Sequence, residues 1–178
     1  DHHLFQFWMS RFYQPALQKI TSKGKVLDVG CGTGEFLREL KEKNKNQLYG
    51  IDFSNKMIAM AKKKLGKNIQ LQKADVHKLP FSDNTFNYVV STEAFHHYYD
   101  QNQALQEMKR VVKRKGKVMV VDINFFWRPI HWLFEKLEPG CVRVNSRTEM
   151  RTLFQEAGLH NIRQQRSFLF AVLTQGMK

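Results

Sequence analysis

Runs of consecutive apolar residues alternate along this chain with stretches in which apolar positions return every third or fourth residue, the signatures of buried strand and amphipathic helix. Lys25 to Val29 reads as a buried strand, and Glu35 to Lys43 as a helix with Phe36, Leu37 and Leu40 on one face. Leu48 to Ile51 is a second, short strand. Ser54 is suited to cap a helix whose apolar positions Met57, Ile58, Ala61 and Leu65 recur at helical spacing until Gly66 stops it. Ile69 to Lys73 is a third strand and, past the turn-forming stretch Pro80 to Asn84, Phe86 to Ser91 is a fourth. Asn102 to Val112 makes a helix with Leu105, Met108 and Val112 inward, and Lys117 to Ile123 is an unbroken fifth strand.

Alternation this regular implies right-handed crossovers and a mostly parallel sheet covered on both faces. An aromatic-rich segment, Asn124 to Asn145, then breaks the rhythm before a helix from Arg147 to Ala157 that Gly158 stops. The final strands, Asn161 to Arg166 and Phe168 to Gln175, are too close for a helical crossover and must pair as an antiparallel hairpin. The expected class is α/β: a Rossmann-like doubly wound sheet of seven strands, mostly parallel with a C-terminal antiparallel hairpin. The 178 residues suit a single domain over 1–178, with 1–20 as an N-terminal lid helix and 124–145 as a substrate-side insertion. A chain of this length buries roughly two-thirds of the surface its unfolded form exposes.

Hydrophobic residues make up 42% of the chain, but charge interrupts every apolar stretch before the ~20 residues that a membrane span requires. The two cysteines, Cys31 and Cys141, offer neither a disulfide framework nor metal-ligand spacing, which suits a reducing cytoplasm. The pairs His2-His3 and His96-His97 lack the i, i+4 spacing of a helical zinc site, so no metal is expected. A net charge of +13 would suggest nucleic acid or an anionic surface if it were spread over one face. It falls in clumps instead: Lys41, Lys43 and Lys45; Lys62, Lys63, Lys64 and Lys67; and Lys109, Arg110, Lys113, Arg114, Lys115 and Lys117, each closing a predicted helix. Cations are favoured at helix C-termini, which in such a sheet lie at the rim opposite the ligand site. Nucleic acid is therefore not an expected partner.

The residues with most chemistry join the first strand to its helix. In Val-Leu-Asp-Val-Gly-Cys-Gly-Thr-Gly-Glu-Phe, from Val26 to Phe36, Gly30, Gly32 and Gly34 alternate and make a floor without side chains, against which a ligand can lie. A dinucleotide site would read G-x-G-x-x-G with a helix N-terminus aimed at pyrophosphate. Here the third glycine comes one residue early, and Asp28 and Glu35 would repel a phosphate, so the loop suits a cationic ligand. Asp52 ends the second strand at about the 20-residue separation at which an acid accepts ribose hydroxyls. Its alternative reading is a helix cap.

This stretch closely resembles motif I of the class I S-adenosylmethionine-dependent methyltransferases, with Asp28, Gly30, Cys31, Gly32 and Gly34 in place. The resemblance implies S-adenosyl-L-methionine as cofactor and S-adenosyl-L-homocysteine as product. In Gly-Ile-Asp-Phe-Ser it assigns Asp52 to the ribose, with Phe53 and Met57 lining the adenine. In Lys-Ala-Asp-Val-His-Lys-Leu-Pro-Phe it assigns Asp75 to the adenine amino group and the Val76 amide to the ring. Asp83-Asn84-Thr85-Phe86, running into Tyr88-Val89-Val90-Ser91-Thr92, resembles the small-molecule branch that includes quinone-biosynthesis enzymes. There Ser91, Thr92 and Phe95 would flank the methionine part, and Tyr13 would stand over the cofactor. The likeness covers residues 24–123 and, more faintly, 146–175. It departs where the branch's usual Pro-Gly before strand five has become Arg114-Lys115.

Methyl transfer needs chiefly an aligned nucleophile and excluded water. If the acceptor loses a proton, His96 or His97, just past the fourth strand, is the candidate catalytic base, against the alternative that both are structural. Phe5 to Leu17, with Phe7, Trp8, Phe12 and Tyr13, could close as a lid. Phe125, Phe126, Trp127, Ile130, Trp132, Leu133, Phe134 and Leu137 form a second apolar group that is expected to pack or to shape the pocket. Together they suggest a lipophilic or aromatic small-molecule acceptor, or contact with a membrane surface, with Arg128 and Lys136 at the rim. The rival readings are an RNA or protein methyltransferase and a non-catalytic partner subunit that binds the cofactor.

Overall fold

A computed structural model describes the backbone of residues 2–43, 46–125, 127–167 and 170–178, and side chains from residue 11 onward. The seven strands are β1 (Lys25–Val29), β2 (Gln47–Asp52), β3 (Gln70–Lys73), β4 (Phe86–Thr92), β5 (Val112–Ile123), β6 (His160–Arg166) and β7 (Ala171–Met177). They form one sheet in the order β3-β2-β1-β4-β5-β7-β6. All neighbours are parallel up to β5; β7 runs antiparallel to both β5 and β6. The expected fold class is thus observed. The chain runs outward from β1 to β3 and returns to β4 on the other side of β1, so the connections leaving β1 and β4 diverge and open a crevice at the strand C-termini.

Helices α1 (His2–Lys19), α2 (Glu35–Lys43) and α3 (Asn55–Leu65) cover one face; α4 (Gln101–Val111) and α6 (Arg147–Glu156) cover the other, and α5 is Arg128–Leu137. Central strands are buried on both sides, as parallel strands must be. On β5, Met119 and Val121 enter the core under α1 to α3, whereas Val118 and Val120 enter the core under α4 and α6. Ser54 accepts the Met57 N–H and caps α3, and Ser146 forms a reciprocal capping box with Glu149 at the start of α6.

Three expectations need correction. Strand β5 starts at Val112, not Lys117, so Lys113 to Lys117 belong to the sheet rather than to the end of α4. Their cause is tertiary: Lys117 pairs with Met177, and the Lys115 N–H donates to the Lys178 carbonyl at 3.0 Å. Lys41 and Lys43, Lys62 to Lys64, and Lys109 and Arg110 do stand in last helical turns, but Lys64 is not turned away from the site: it donates to Thr33 Oγ1 in the glycine loop at 3.2 Å and pairs with Glu35; Lys45 lies outside the described residues.

The second correction concerns α1. Tyr13, Ala16, Leu17 and Ile20 are buried with α2 and the sheet, so this half of the helix is a core layer and not a lid. Pro15 cannot donate to the Arg11 carbonyl, and the Ser167 hydroxyl supplies a hydrogen bond there at 3.0 Å. The side chains of His2, His3, Phe5, Phe7 and Trp8 lie outside the described residues. So do Phe126 and Phe168, and the last strand begins at Ala171.

The third is the aromatic segment. Phe125 and Phe134 pack on each other at 5.3 Å, but Trp127, Ile130, Trp132, Leu133 and Leu137 are exposed rather than packed inward, and none of them lines the cavity beside the glycine loop.

Candidate functional site

The glycine loop leaves β1 with positive φ at Gly30 (72°), Gly32 (51°) and Gly34 (83°), a conformation that side chains resist. Two of the three are also closed to a larger residue. A Cβ on Gly30 would lie 2.6 Å from that of Ala94, and one on Gly34 would lie 2.6 Å from Leu65 Cδ1. Above Gly32 there is open space. The loop is fixed by its own amides: the Cys31 N–H donates to the Ile51 carbonyl and the Gly34 N–H to the Cys31 carbonyl, both at 2.8 Å.

Asp28 lies beneath this floor, fully buried, and neither carboxylate oxygen has a hydrogen-bond partner among the described residues. Burial, and then the Asp52 charge, push its carboxyl up to about 8. An orphaned buried acid under a bare loop fits the ammonium and sulfonium of S-adenosylmethionine and would be costly without such a cation. Asp52 closes β2 with both oxygens oriented: Oδ2 accepts the Gly32 N–H at 2.9 Å and Oδ1 the Ser54 N–H at 2.8 Å. Each oxygen keeps a lone pair for a ribose hydroxyl. Since Ser54 caps α3, the helix-cap reading of Asp52 falls.

A cavity of about 360 Å³ opens beside the loop and is lined by Gly30, Asp52, Phe53, Asp75, Val76 and His97, among others. Asp75 caps the short turn Val76–Lys78 by accepting the His77 N–H at 2.9 Å, and it also holds His77 Nδ1 at 2.6 Å. Desolvation opposes its charge, but these bonds prevail and keep the carboxyl below its usual range. His77 in turn stacks on Tyr99, centroids 3.6 Å apart, and its Nε2 accepts the Asp100 N–H at 3.3 Å. Phe53 and Tyr99 are both more than two-thirds exposed and line the cavity, which gives it two aromatic rings able to offer a face to a flat base, Tyr99 with its other face on His77.

The other expected site residues are placed differently. Ser91 is buried, and its hydroxyl donates to that of Tyr98 at 2.9 Å, which itself donates to the Val29 carbonyl. Phe95 is turned into the core by the short turn Phe95–His97 and flanks nothing in the cavity; Tyr98, directly below Gly30, stands there instead. Cys31 is buried toward Gly50, with its thiol pushed well above the ordinary range by burial. Thr92 and Met57 are outside the cavity lining. Tyr13 is engaged elsewhere, donating to Glu39 Oε1 on α2 at 3.1 Å and meeting Phe36 edge-on.

Beyond β4 a second cluster adjoins the cavity. His96 is 3% exposed, and its Nδ1 is 2.6 Å from Asp122 Oδ1 at the end of β5. Burial works against its charged form, but Asp122 outweighs it and raises the pKa. Glu93, at a left-handed φ of 55°, is pushed up to about 7, first by burial and then by Asp122. The His96 carbonyl accepts the Val142 and Arg143 N–H groups, which hold the 138–143 loop over the pair. His97 lines the cavity, and its Nδ1 donates to the Gly140 carbonyl at 2.9 Å. Among the described residues no group of His, Cys, Asp and Glu is arranged to hold a metal ion.

His77, Glu93, Tyr98, Tyr99 and Asp122 were not singled out from the sequence. Asp122 carried the clearest signal, an acid closing an apolar strand at the same rim as Asp52 and Asp75.

The protein family described as a methyltransferase domain matches residues 27–120. A demethylmenaquinone methyltransferase of Bacillus mycoides is 32% identical over 83% of this chain and 74% of its own length. One from Thermotoga maritima is 34% identical over 65% of the chain, which spans half of that relative. Among solved structures, the complex of the Haloferax volcanii Trm112 methyltransferase activator with a putative methyltransferase superposes with a TM-score of 0.85 at 22% identity, over 97% of this chain and 91% of that one. An Aquifex aeolicus S-adenosylmethionine-dependent methyltransferase gives a TM-score of 0.76 at 26% identity, over 94% and 91%. The chain belongs to this family: it is a methyltransferase domain whose cofactor is S-adenosylmethionine.

Proposed function

We propose that the protein transfers a methyl group to a lipophilic, aromatic small molecule bearing an ionisable hydroxyl, and that His97 is the base that removes its proton. Bound S-adenosylmethionine supplies an electrophilic methyl group. Gly30, Gly32 and Gly34 bring backbone within contact distance of it, Asp28 meets its positive charge and Asp52 its ribose.

The observation that carries the choice of base is the commitment of His97 Nδ1 to a carbonyl, which can only accept. The lone pair of the neutral ring is thereby on Nε2, and this side chain lines the cavity. His96, held by Asp122 with ring centroids 4.1 Å from His97, supports the His97 ring and its field rather than touching the acceptor. The aromatic character of the acceptor is supported by Phe125, Phe134 and Phe170, which lie in one cluster next to His96, and by the quinone-directed names of the relatives. A carbon nucleophile in a hydroxylated ring would use the same base, since removal of the ring hydroxyl's proton activates the carbon. A cytoplasmic setting accords with two free cysteines.

The test is turnover of a naphthohydroquinone acceptor at saturating cofactor. His97→Ala should lower kcat by roughly 10²–10⁴-fold, the range for loss of a general base. Asp122→Asn should cost less and shift the pH profile. Undiminished turnover in His97→Ala would refute the assignment, and transfer to RNA or protein but to no small molecule would refute the acceptor class.

A further inference from the structure

Helix α5 is built inside out. Its inward side carries His131, which is 4% exposed and whose Nε2 donates to the Phe125 carbonyl at 2.8 Å. Beside it are Phe134 and Glu135, whose Oε1 accepts the Val144 N–H at 2.8 Å. The outward side carries Ile130, Trp132, Leu133 and Leu137, exposed by 41%, 57%, 50% and 71%, and Trp127 just ahead of the helix is 71% exposed. Large apolar side chains in a contiguous outward stripe call for a cover.

We infer that the outward face of α5 docks on the surface of an anionic lipid bilayer. The helix has ten residues, about 15 Å in length, far too short to cross a bilayer but suited to lie in its interface. Tryptophan at the edge of an apolar face, with a cation alongside, is the composition of such helices. Here the Lys136 ammonium sits 3.9 Å from the Trp132 ring centre. Charge selects the occupant. No carboxylate points outward from the helix, since Glu135 is turned to Val144, while Glu149 pairs with Arg128 and Arg143. Arg128 and Arg143 share the one carboxylate of Glu149, and Lys136 stands beside Trp132, so this face is locally cationic: the same face of a second copy would be repelled and an anionic surface attracted. The docking does not depend on which acceptor is methylated.

Co-sedimentation with phosphatidylcholine vesicles, with and without phosphatidylglycerol, tests it. The wild type should bind the vesicles containing phosphatidylglycerol, with a blue shift of tryptophan fluorescence and with affinity that falls as salt rises. Leu133→Glu/Leu137→Glu should weaken binding at least about tenfold, because carboxylates would enter the apolar interface. Lys136→Glu should remove the preference for phosphatidylglycerol. Adenosylhomocysteine binding by each variant, measured calorimetrically, should match wild type; this shows that the fold is intact and separates failure here from failure of the methyltransferase reading. Absence of vesicle binding, binding undiminished in the double variant, or a wild-type dimer that the double variant lacks would each overturn the inference.

Discussion

Asp28 concentrates the site's electrostatics in one side chain. With its carboxyl raised to about 8 in the fold, against about 3.9 in an unfolded chain, the folded state holds a proton that the unfolded state has lost across that interval. The cofactor-free protein should therefore lose stability as pH rises from about 4 to about 8 and change little beyond that, and Asp28→Asn should abolish this part of the slope. A bound cation favours the carboxylate, so wild-type affinity for adenosylhomocysteine, which keeps the ammonium, should rise with pH up to about 8. Asp28→Asn should bind roughly ten- to hundredfold more weakly, with a flatter profile. Calorimetry and thermal melts across pH would check both; unchanged affinity with an unchanged profile would count against the role given to this acid. At this scale the glycine loop and Asp52 were legible because their function is local, set by backbone conformation and a short separation. Tyr98, His77 and Asp122 were not, because what they touch depends on which strands become neighbours. His96 finds Asp122 only because β4 pairs with β5.

Among elements, the periods of two and 3.6 placed the seven strands and helices α2, α3, α4 and α6, and the strand end that moved furthest has a tertiary cause. Residues 113–117 read as the cationic end of a helix, yet β7 returns from the far end of the chain to draw them into the sheet. The register slips there, with Phe86 opposite Val112 and Tyr88 opposite Lys117, and Lys115 takes a φ of 64°. That position is where the resemblance expects glycine. Lys115→Gly should relieve the left-handed strain, worth ~1–2 kcal/mol, against a smaller gain in unfolded-chain entropy, for a net stabilisation of about 0.5–1 kcal/mol. Urea denaturation would measure it, and a lower midpoint would contradict it. Residues 124–145 read only as an aromatic-rich insertion, so neither α5 nor its facing was predicted. Outward orientation follows from the partners that His131 and Glu135 find inward, which no periodicity encodes.

Over the whole molecule, function follows from where the strand order reverses. Loops from β1 and β4 part there, and the acids closing β1, β2 and β5 converge on the same rim, where Lys64 of α3 also pairs with Glu35 beside the glycine loop. The fold class was legible throughout, since strand–helix alternation and a closing hairpin leave few topologies. The acceptor was not, because the segments that shape its pocket vary freely on one scaffold. The central claim is that a sulfur cation with its adenosine lies over the bare loop, held by Asp52. Titration calorimetry of adenosylhomocysteine should show one saturable site per chain, weakened at least about tenfold by Asp52→Ala, as loss of a charged hydrogen-bond acceptor requires. No heat with the wild type, or equal affinity in the variant, would contradict the account.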